Sequence, residues 1–506
     1  MRNPFLISTL TLLASCGWDT ITPNHTVQLD GAIWDAQSGI SSSSGLYFRL
    51  PTVNGLGLVG KDGTFTRVSI DGALTNVFPS PDGETLIGLV DQTTCPDDDD
   101  AILISDCEEP EVSAQLVSIV DGNITNSVQL DQPFNAISWD ETGTTAIAYI
   151  DSDLGDISSN GVVSLTTVLV ITPADNSITP VQVGFAASEV LFHPETNRAV
   201  VLSQSEVAVI DLAAAPPTTV VTYPLTLDPD DVVNPVGVSL TPDGSSALIS
   251  AQGSDALYIL DLINPSVNMV SLSNSPAAMA VSPTADRTFF SFDWTSTVDI
   301  MDHDYFDVES ITLDEPMSRI DLTDNYALLS SENGYRDLYK IEFDLSDDTP
   351  AFDLTEYRLQ GVANSLELAP SGEFAVALTD SATKMEIVDL RLGSDDVYPY
   401  ALETQGIAVA FSQADDGLSL LLLQEGLDYL FSLNLYTNQA EELDLSSPPV
   451  DIGALSDGTF FITHEVASGL VTFYDPTTGT QTEVAGFAIE GVTEPKNLSN
   501  LDQEVD

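Results

Sequence analysis

The chain has 506 residues, 43% of them hydrophobic, and sets 78 Asp and Glu against 13 Lys and Arg for a formal charge of −65. That balance excludes nucleic-acid binding through a basic surface and argues against adhesion to anionic lipid headgroups, since both rest on cationic side chains. The apolar content is spread along the whole length, which excludes disorder and leaves enough to bury a core.

The first element is a leader. Met1-Arg2-Asn3 carries one positive charge, and an apolar stretch runs from Pro4 to Leu13. Ten residues rise only about 15 Å as a helix, half a hydrocarbon core of ~30 Å, so the stretch fits the h-region of a secretory signal and not a span. Leu13-Ala14-Ser15-Cys16 then resembles the lipobox of bacterial lipoproteins. The resemblance implies that 1–15 is removed, that Cys16 is acylated and that the chain is anchored to a membrane by lipid. Gly17 after the cysteine, by the same resemblance, favours the outer membrane. Residues 16–44 follow as a lipidated polar tether.

Repeats occupy 45–490. The clearest unit reads Val236–Leu240, a Thr241-Pro242-Asp243-Gly244 turn, Ser246–Ala251, a second turn, Ala256–Leu262 and a strand at Asn268–Leu272. Proline pre-sets φ in such a turn, and Gly, Asn or Asp accepts the left-handed geometry that returns the chain. Similar punctuation recurs at Gly83, Gly143, Asn197, Asp286, Asn325, Gly372, Gly417 and Gly458. A short run rich in Val, Ile, Leu and Phe follows each anchor, and helical periodicity is nowhere sustained. Four short strands per unit of forty-odd residues predict an all-β fold, a β-propeller of four-stranded antiparallel blades. Nine anchors imply nine blades if each marks one, whereas rings of four to eight are typical. The expectation is about eight, with a range of seven to nine, and with the strands of Leu46–Ile70 joining the C-terminal ones to close the ring. Residues 491–506 read as an acidic tail.

Val238–Leu262 and Leu366–Leu392 resemble blades of the YVTN and lactonase-like propeller superfamily, in which an SPDG-type turn, a hydrophobic strand, a polar turn and a strand ending in Asp-Leu follow one another. The resemblance implies architecture far more than activity, because propellers host many functions.

Two early repeats are longer than the rest. The first holds Cys95 and Cys107, an even pair once Cys16 carries lipid, in an acidic loop with Asp97, Asp98, Asp99 and Asp100. In an oxidising compartment the pair can close that loop as a disulfide worth about 3 kcal/mol; two unrelated thiols are the other reading. The second holds Asp151, Asp153 and Asp156, whose alternate spacing begins as an EF-hand loop does, although its glycine falls one place early and no Glu stands at the twelfth position. Both loops, and a third at Asp302, Asp304, Asp307 and Glu309, are candidate calcium sites; solvated acidic loops are the alternative. Calcium neutralisation and a salty habitat are two sources for so acidic a surface, and the evenness of the deficit favours habitat for the bulk charge.

Catalytic signals are absent from the sequence. His25, His193, His303 and His464 show no metal-ligand spacing, and no Gly-x-Ser-x-Gly elbow, phosphate loop or zinc-protease motif occurs. His193 reads as a turn residue and His464 as a solvated loop residue. The leading expectation is therefore a non-enzymatic binding or assembly module on the cell envelope, monomeric at low salt, whose partner is an envelope protein or polysaccharide. The alternative is a lactonase-like hydrolase with a metal in the central channel.

Overall fold

The computed structural model describes residues 40–485 apart from 43–44, 51–54, 95–110, 121, 152–163, 194–195, 205, 226–232, 265, 283, 332–333, 345–350, 381–382, 392, 395, 415–416 and 465–468. These residues form ten four-stranded antiparallel sheets, each built from four consecutive strands. The blade count expected from the sequence is thus corrected from about eight to ten. All nine anchors fall at the connection between the first and second strands of blades 2 to 10. The tenth sheet is the stretch expected to help close the ring: Ile40–Ser41, Gly45–Leu50, Gly55–Gly60 and Phe65–Ser69 make a complete blade 1. Its first strand has only two residues, and its first connection is a serine run without an anchor, so it left no mark at the repeat's period.

Each blade is joined to the next by one hydrophobic seam. Val200, Leu202, Val207 and Val209 of blade 4 pack on Val238, Ala247, Ile249 and Leu260 of blade 5, for example. Ten such clusters run round the molecule. The last sets Leu46, Phe48 and Val59 of blade 1 against Phe461, Val471 and Phe473 of blade 10. The ring therefore closes by side-chain packing between whole blades, with no strand exchanged between the two ends. Each large apolar side chain taken from water into a seam contributes about 1.5–3 kcal/mol, which is why the second strands, caught between two seams, are apolar on both faces.

Antiparallel order gives the ring two unlike faces. The tight turns from first to second and from third to fourth strand share one face; the connections from second to third strand, and from blade to blade, share the other. On the turn face the anchors meet their neighbours. Gly244 has φ +65°, and a Cβ there would collide with the His193 ring of the preceding blade. Seven of the nine anchors have positive φ. The exceptions are Asn325, in a shortened turn closed by Thr323 and Tyr326, and Gly417, which begins a strand and pairs with Ala414.

The Asp of the Asp-Leu ending has a definite task. Its carboxylate accepts backbone N–H bonds from the turn that follows: Asp261 from Ile263 and Asn264 at 2.9 and 2.7 Å, Asp211 from Ala213 at 2.9 Å and Asp389 from Arg391 at 3.1 Å. Asp302 and Asp475, at the same place without the Leu, do likewise. These are Asx turns, which satisfy donors that no strand can reach. The Leu beside it, as in Leu262 and Leu390, is buried in a seam.

Candidate functional site

The connection face departs from the repeat at blades 2 and 3. In blade 2 the second and third strands, Thr85–Thr94 and Glu111–Val120, are ten residues each and pair without interruption from Thr85↔Val120 to Thr94↔Glu111. The blade's first strand stops pairing at Asp91, so the hairpin continues beyond it by three residues, about 10 Å at strand rise. Burial at that point raises the Asp91 carboxyl above its ordinary value. The connection 95–110 is carried on the end of this hairpin.

Blade 3 carries the connection 152–163 on two clips. Asn135 donates from Nδ2 to the Asp151 carbonyl and accepts the Asp151 N–H on Oδ1, both at 2.7 Å. Gln132 does the same for Ser164, donating to its carbonyl at 3.0 Å and accepting its N–H at 2.9 Å. Both amides come from the segment that enters blade 3 from blade 2. They fix the two residues flanking the connection, one on each side, so whatever 152–163 presents is presented from a rigid base.

The inner wall offers the other concentration of polar groups. The residue four places before the turn reaches across to the next blade in three blades, to its innermost strand or, for Asn76, to the residue just before that strand: Asn76 Nδ2 to the Asn135 carbonyl at 3.5 Å, Glu189 Oε2 from the Val238 N–H at 3.2 Å, Arg319 Nη1 to the Leu366 carbonyl at 3.0 Å. Glu189 is partly buried, and desolvation raises its carboxyl to about 7. Near it, burial pushes the Tyr149 phenol up to about 12, against a hydrogen bond with Ser138, and the charges of Asp151 and Glu189 act in the same upward direction. A carboxyl that exchanges its proton near neutrality is suited to general acid–base work, but here it is bonded to main chain across a seam.

The sequence-derived site residues are distributed as follows. Cys16, Cys95, Cys107, Asp97, Asp98, Asp99, Asp100, Asp153 and Asp156 lie outside the described residues, as does His25. Asp151 is described, and its main chain is held by Asn135. The third acidic loop is not assembled as a metal site: Asp302 pairs with Arg287 at 2.6 Å and caps its own turn. Among the described residues no three His, Cys, Asp or Glu side chains are grouped to hold a metal ion. His193, expected as a turn residue, is the last residue of the strand Ala187–His193 where it meets that turn; it is buried, with the Thr196 hydroxyl 3.2 Å from its Nδ1. The expectation for His464 is corrected. It ends a strand, is fully buried, and contacts the Ser447 carbonyl and Thr472 hydroxyl at 2.7 and 2.8 Å; burial lowers its pKa.

Sequence reading missed Gln132, Asn135 and Glu189. Each has its partner 16 to 49 residues away, so no local pattern marks it. The one available signal was Glu189 itself, a charge inside the otherwise uncharged run Ala187–His193. A shallow cleft of about 240 Å³ also opens where blade 10 meets blade 1, lined by Lys61, Phe473, Asp475 and threonines.

Comparison with known proteins returns loose structural likeness only. The dihydro-heme d1 dehydrogenase NirN in complex with DHE aligns over 63% of this chain and 71% of its own, at 13% identity and a TM-score of 0.37. Apo AztD from Citrobacter koseri aligns over 63% and 92%, at 13% and 0.34. Virginiamycin B lyase from Staphylococcus aureus aligns over 54% and 90%, at 15% and 0.31. No protein-family model and no curated protein matches the sequence.

Proposed function

We propose that this chain is a lipid-anchored protein of the cell envelope whose ring is a non-enzymatic binding module, taking its partner on the connection face of blades 2 and 3. The observation that carries this reading is the pair of clips by which Gln132 and Asn135 fix Ser164 and Asp151. A long connection with both flanks bonded to a scaffold costs less ordering entropy on binding than a free one. The second and third strands of blade 2, Thr85–Thr94 and Glu111–Val120, end on the same face as Asp151 and Ser164.

Charge supports a cationic partner surface. Between Arg67 and Arg198 the sequence has 22 Asp and Glu and no Lys or Arg. A partner that presents lysines and arginines, or an acidic polymer bridged by calcium, meets this arc favourably. The strand Ile40–Ser41 enters blade 1 from the connection face, the side on which a tether from Cys16 would join the ring. Its 24 residues reach at most about 80 Å, enough to hold the ring clear of the membrane while facing envelope components.

Two experiments test the proposal. Cys16→Ser should move the protein from the membrane to the soluble fraction; a variant that remains in the membrane would refute lipid anchoring through Cys16. Crosslinking and pulldown from native envelopes, with salt and calcium present, should recover a partner that is lost when 95–110 is replaced by a short Gly-Ser linker and the melting temperature is unchanged. Recovery of the same partner without 95–110 would remove this face from the account, and hydrolysis assays on the inner wall around Glu189 would follow.

A further inference from the structure

Among the described residues the ten outermost strands leave ten open sheet edges, and an open edge is a template for pairing with another chain unless something blocks it. Nine are blocked in the ways proteins use. Charged residues stand on Phe65–Ser69 (Arg67), Val308–Thr312 (Glu309), Ala351–Arg358 (Asp353), Gln439–Asp444 (Glu441) and Thr480–Ala485 (Glu483). Proline interrupts Ser177–Gln182 at Pro180 and Val397–Ala401 at Pro399. Asn123–Leu130 and Thr218–Pro224 have irregular pairing, with register shifts at Ser118/Ile119 and Val209/Ile210. The exception is the outermost strand of blade 5, Ser266–Ser271. It contains no charge and no proline, and it pairs with the third strand in unbroken register from Asp261↔Ser266 to Ala256↔Ser271.

The apolar residues of that strand are also out in solvent. Val267 is 39% exposed and Met269 67%, with Ile263 of the adjoining turn at 67%. In a chain of charge −65, the 24 residues between Asp261 and Asp286 are the longest stretch with no charged residue. We propose that this edge is where a second copy of the chain docks, by antiparallel pairing of Ser266–Ser271 with itself about a two-fold axis.

The occupant follows from charge and symmetry. Two copies that meet elsewhere on their surfaces bring carboxylates against carboxylates, whereas this strand lets them touch without doing so. Antiparallel self-pairing is isologous, so one strand supplies both halves of the contact and joins two four-stranded blades into one eight-stranded sheet. Centred on Asn268, it sets Val267 of each copy beside Met269 of the other. Repulsion between the remaining surfaces opposes the contact at low ionic strength and is screened at molar salt, where the Debye length falls to about 3 Å. The dimer therefore strengthens with salt, the reverse of an ionic interface.

The test is sedimentation equilibrium of the full chain in density-matched detergent, at low and at molar potassium chloride. The expected result is a monomer at low salt and a dimer at molar salt, with Met269→Lys and Val267→Lys each weakening the dimer by at least about tenfold. Both side chains are exposed, so melting temperatures should be unchanged. A wild-type chain that stays monomeric at every salt overturns the proposal, whether or not another protein's strand takes the edge. So does a dimer that survives both substitutions.

Discussion

Blades 7 and 8 are tied with ions, whereas blades 2 and 3 do the same work with amides. In blades 7 and 8, Arg319 bridges Asp321 and the Leu366 carbonyl, Lys340 bridges Glu342 and the Leu390 carbonyl, and fully buried Glu386 accepts the N–H groups of Gln360 and Gly361 at 2.9–3.0 Å. In blades 2 and 3 the corresponding joints are Asn76 to Asn135, Asn135 to Asp151, Gln132 to Ser164, and the Trp139 Nε1–H donating to the Phe78 carbonyl at 3.3 Å. What the architecture requires at these joints, between blades or within one, is a donor or acceptor aimed at main chain that strand pairing does not reach. Either kind of group meets that need, but they fail differently. A buried carboxylate removed leaves several N–H groups without a partner; an amide removed leaves one or two.

The comparison can be broken most directly at Glu386. Glu386→Ala should lower unfolding stability by on the order of 3 kcal/mol in urea titrations, and Asn135→Ala by about 1–2 kcal/mol. Equal losses would mean that charge at the joint is irrelevant. A backbone joint gives a similar contrast within one blade. Gly244→Ala meets both a φ of +65° and the His193 ring, and should cost roughly 2–3 kcal/mol; Gly253→Ala has φ +67° but nothing within 4 Å, and should cost about 1 kcal/mol.

Glu189 sharpens the comparison by being a carboxyl at a joint where the other blades use the amide of Asn76 or the guanidinium of Arg319. Its folded-state carboxyl is raised to about 7 from 4.5. The folded state therefore binds more protons than the unfolded one between those values, so the contribution is fully present below 4.5 and is lost as pH rises through 7. Glu189→Gln should flatten that fall and stabilise the chain by on the order of 2 kcal/mol above neutrality, read from melting temperatures across pH. His464 acts in the opposite sense. Its depressed pKa stabilises the fold above 6.5 and withdraws that support as pH falls through the folded-state value. The smallest effect belongs to Lys61, half-exposed and paired with Asp457 across the closing seam. Lys61→Met should change stability by less than about 1 kcal/mol, and the difference should vanish in high salt.

Much of the fold was legible in particular residues. Thr241-Pro242-Asp243-Gly244 announced a turn because only a few residue types accept its dihedrals, and Leu248 and Ile249 announced a doubly buried strand because both faces meet apolar neighbours. Blade 1 was legible as strands but not as a blade. Its first strand is two residues long, and its partner across the closing seam, Phe461, lies over 400 positions away. The clips of Gln132 and Asn135 were illegible for the same reason: an amide that pairs with main chain 16 or 32 residues on looks like any other polar residue in a loop.

The sequence by itself determined what local physics can enforce: four short strands per repeat, the dihedral demands of the turns, the acidity of the chain and the apolar stretch ahead of Cys16. Only the tertiary structure decided how many blades close the ring, which connections share a face, and which of ten edges is left unguarded. Those properties depend on contacts between blades, and a seam is formed by residues whose separation along the chain carries no periodic signal. The repeat specifies a blade, but the number of blades that closes a ring is set by how the seams pack.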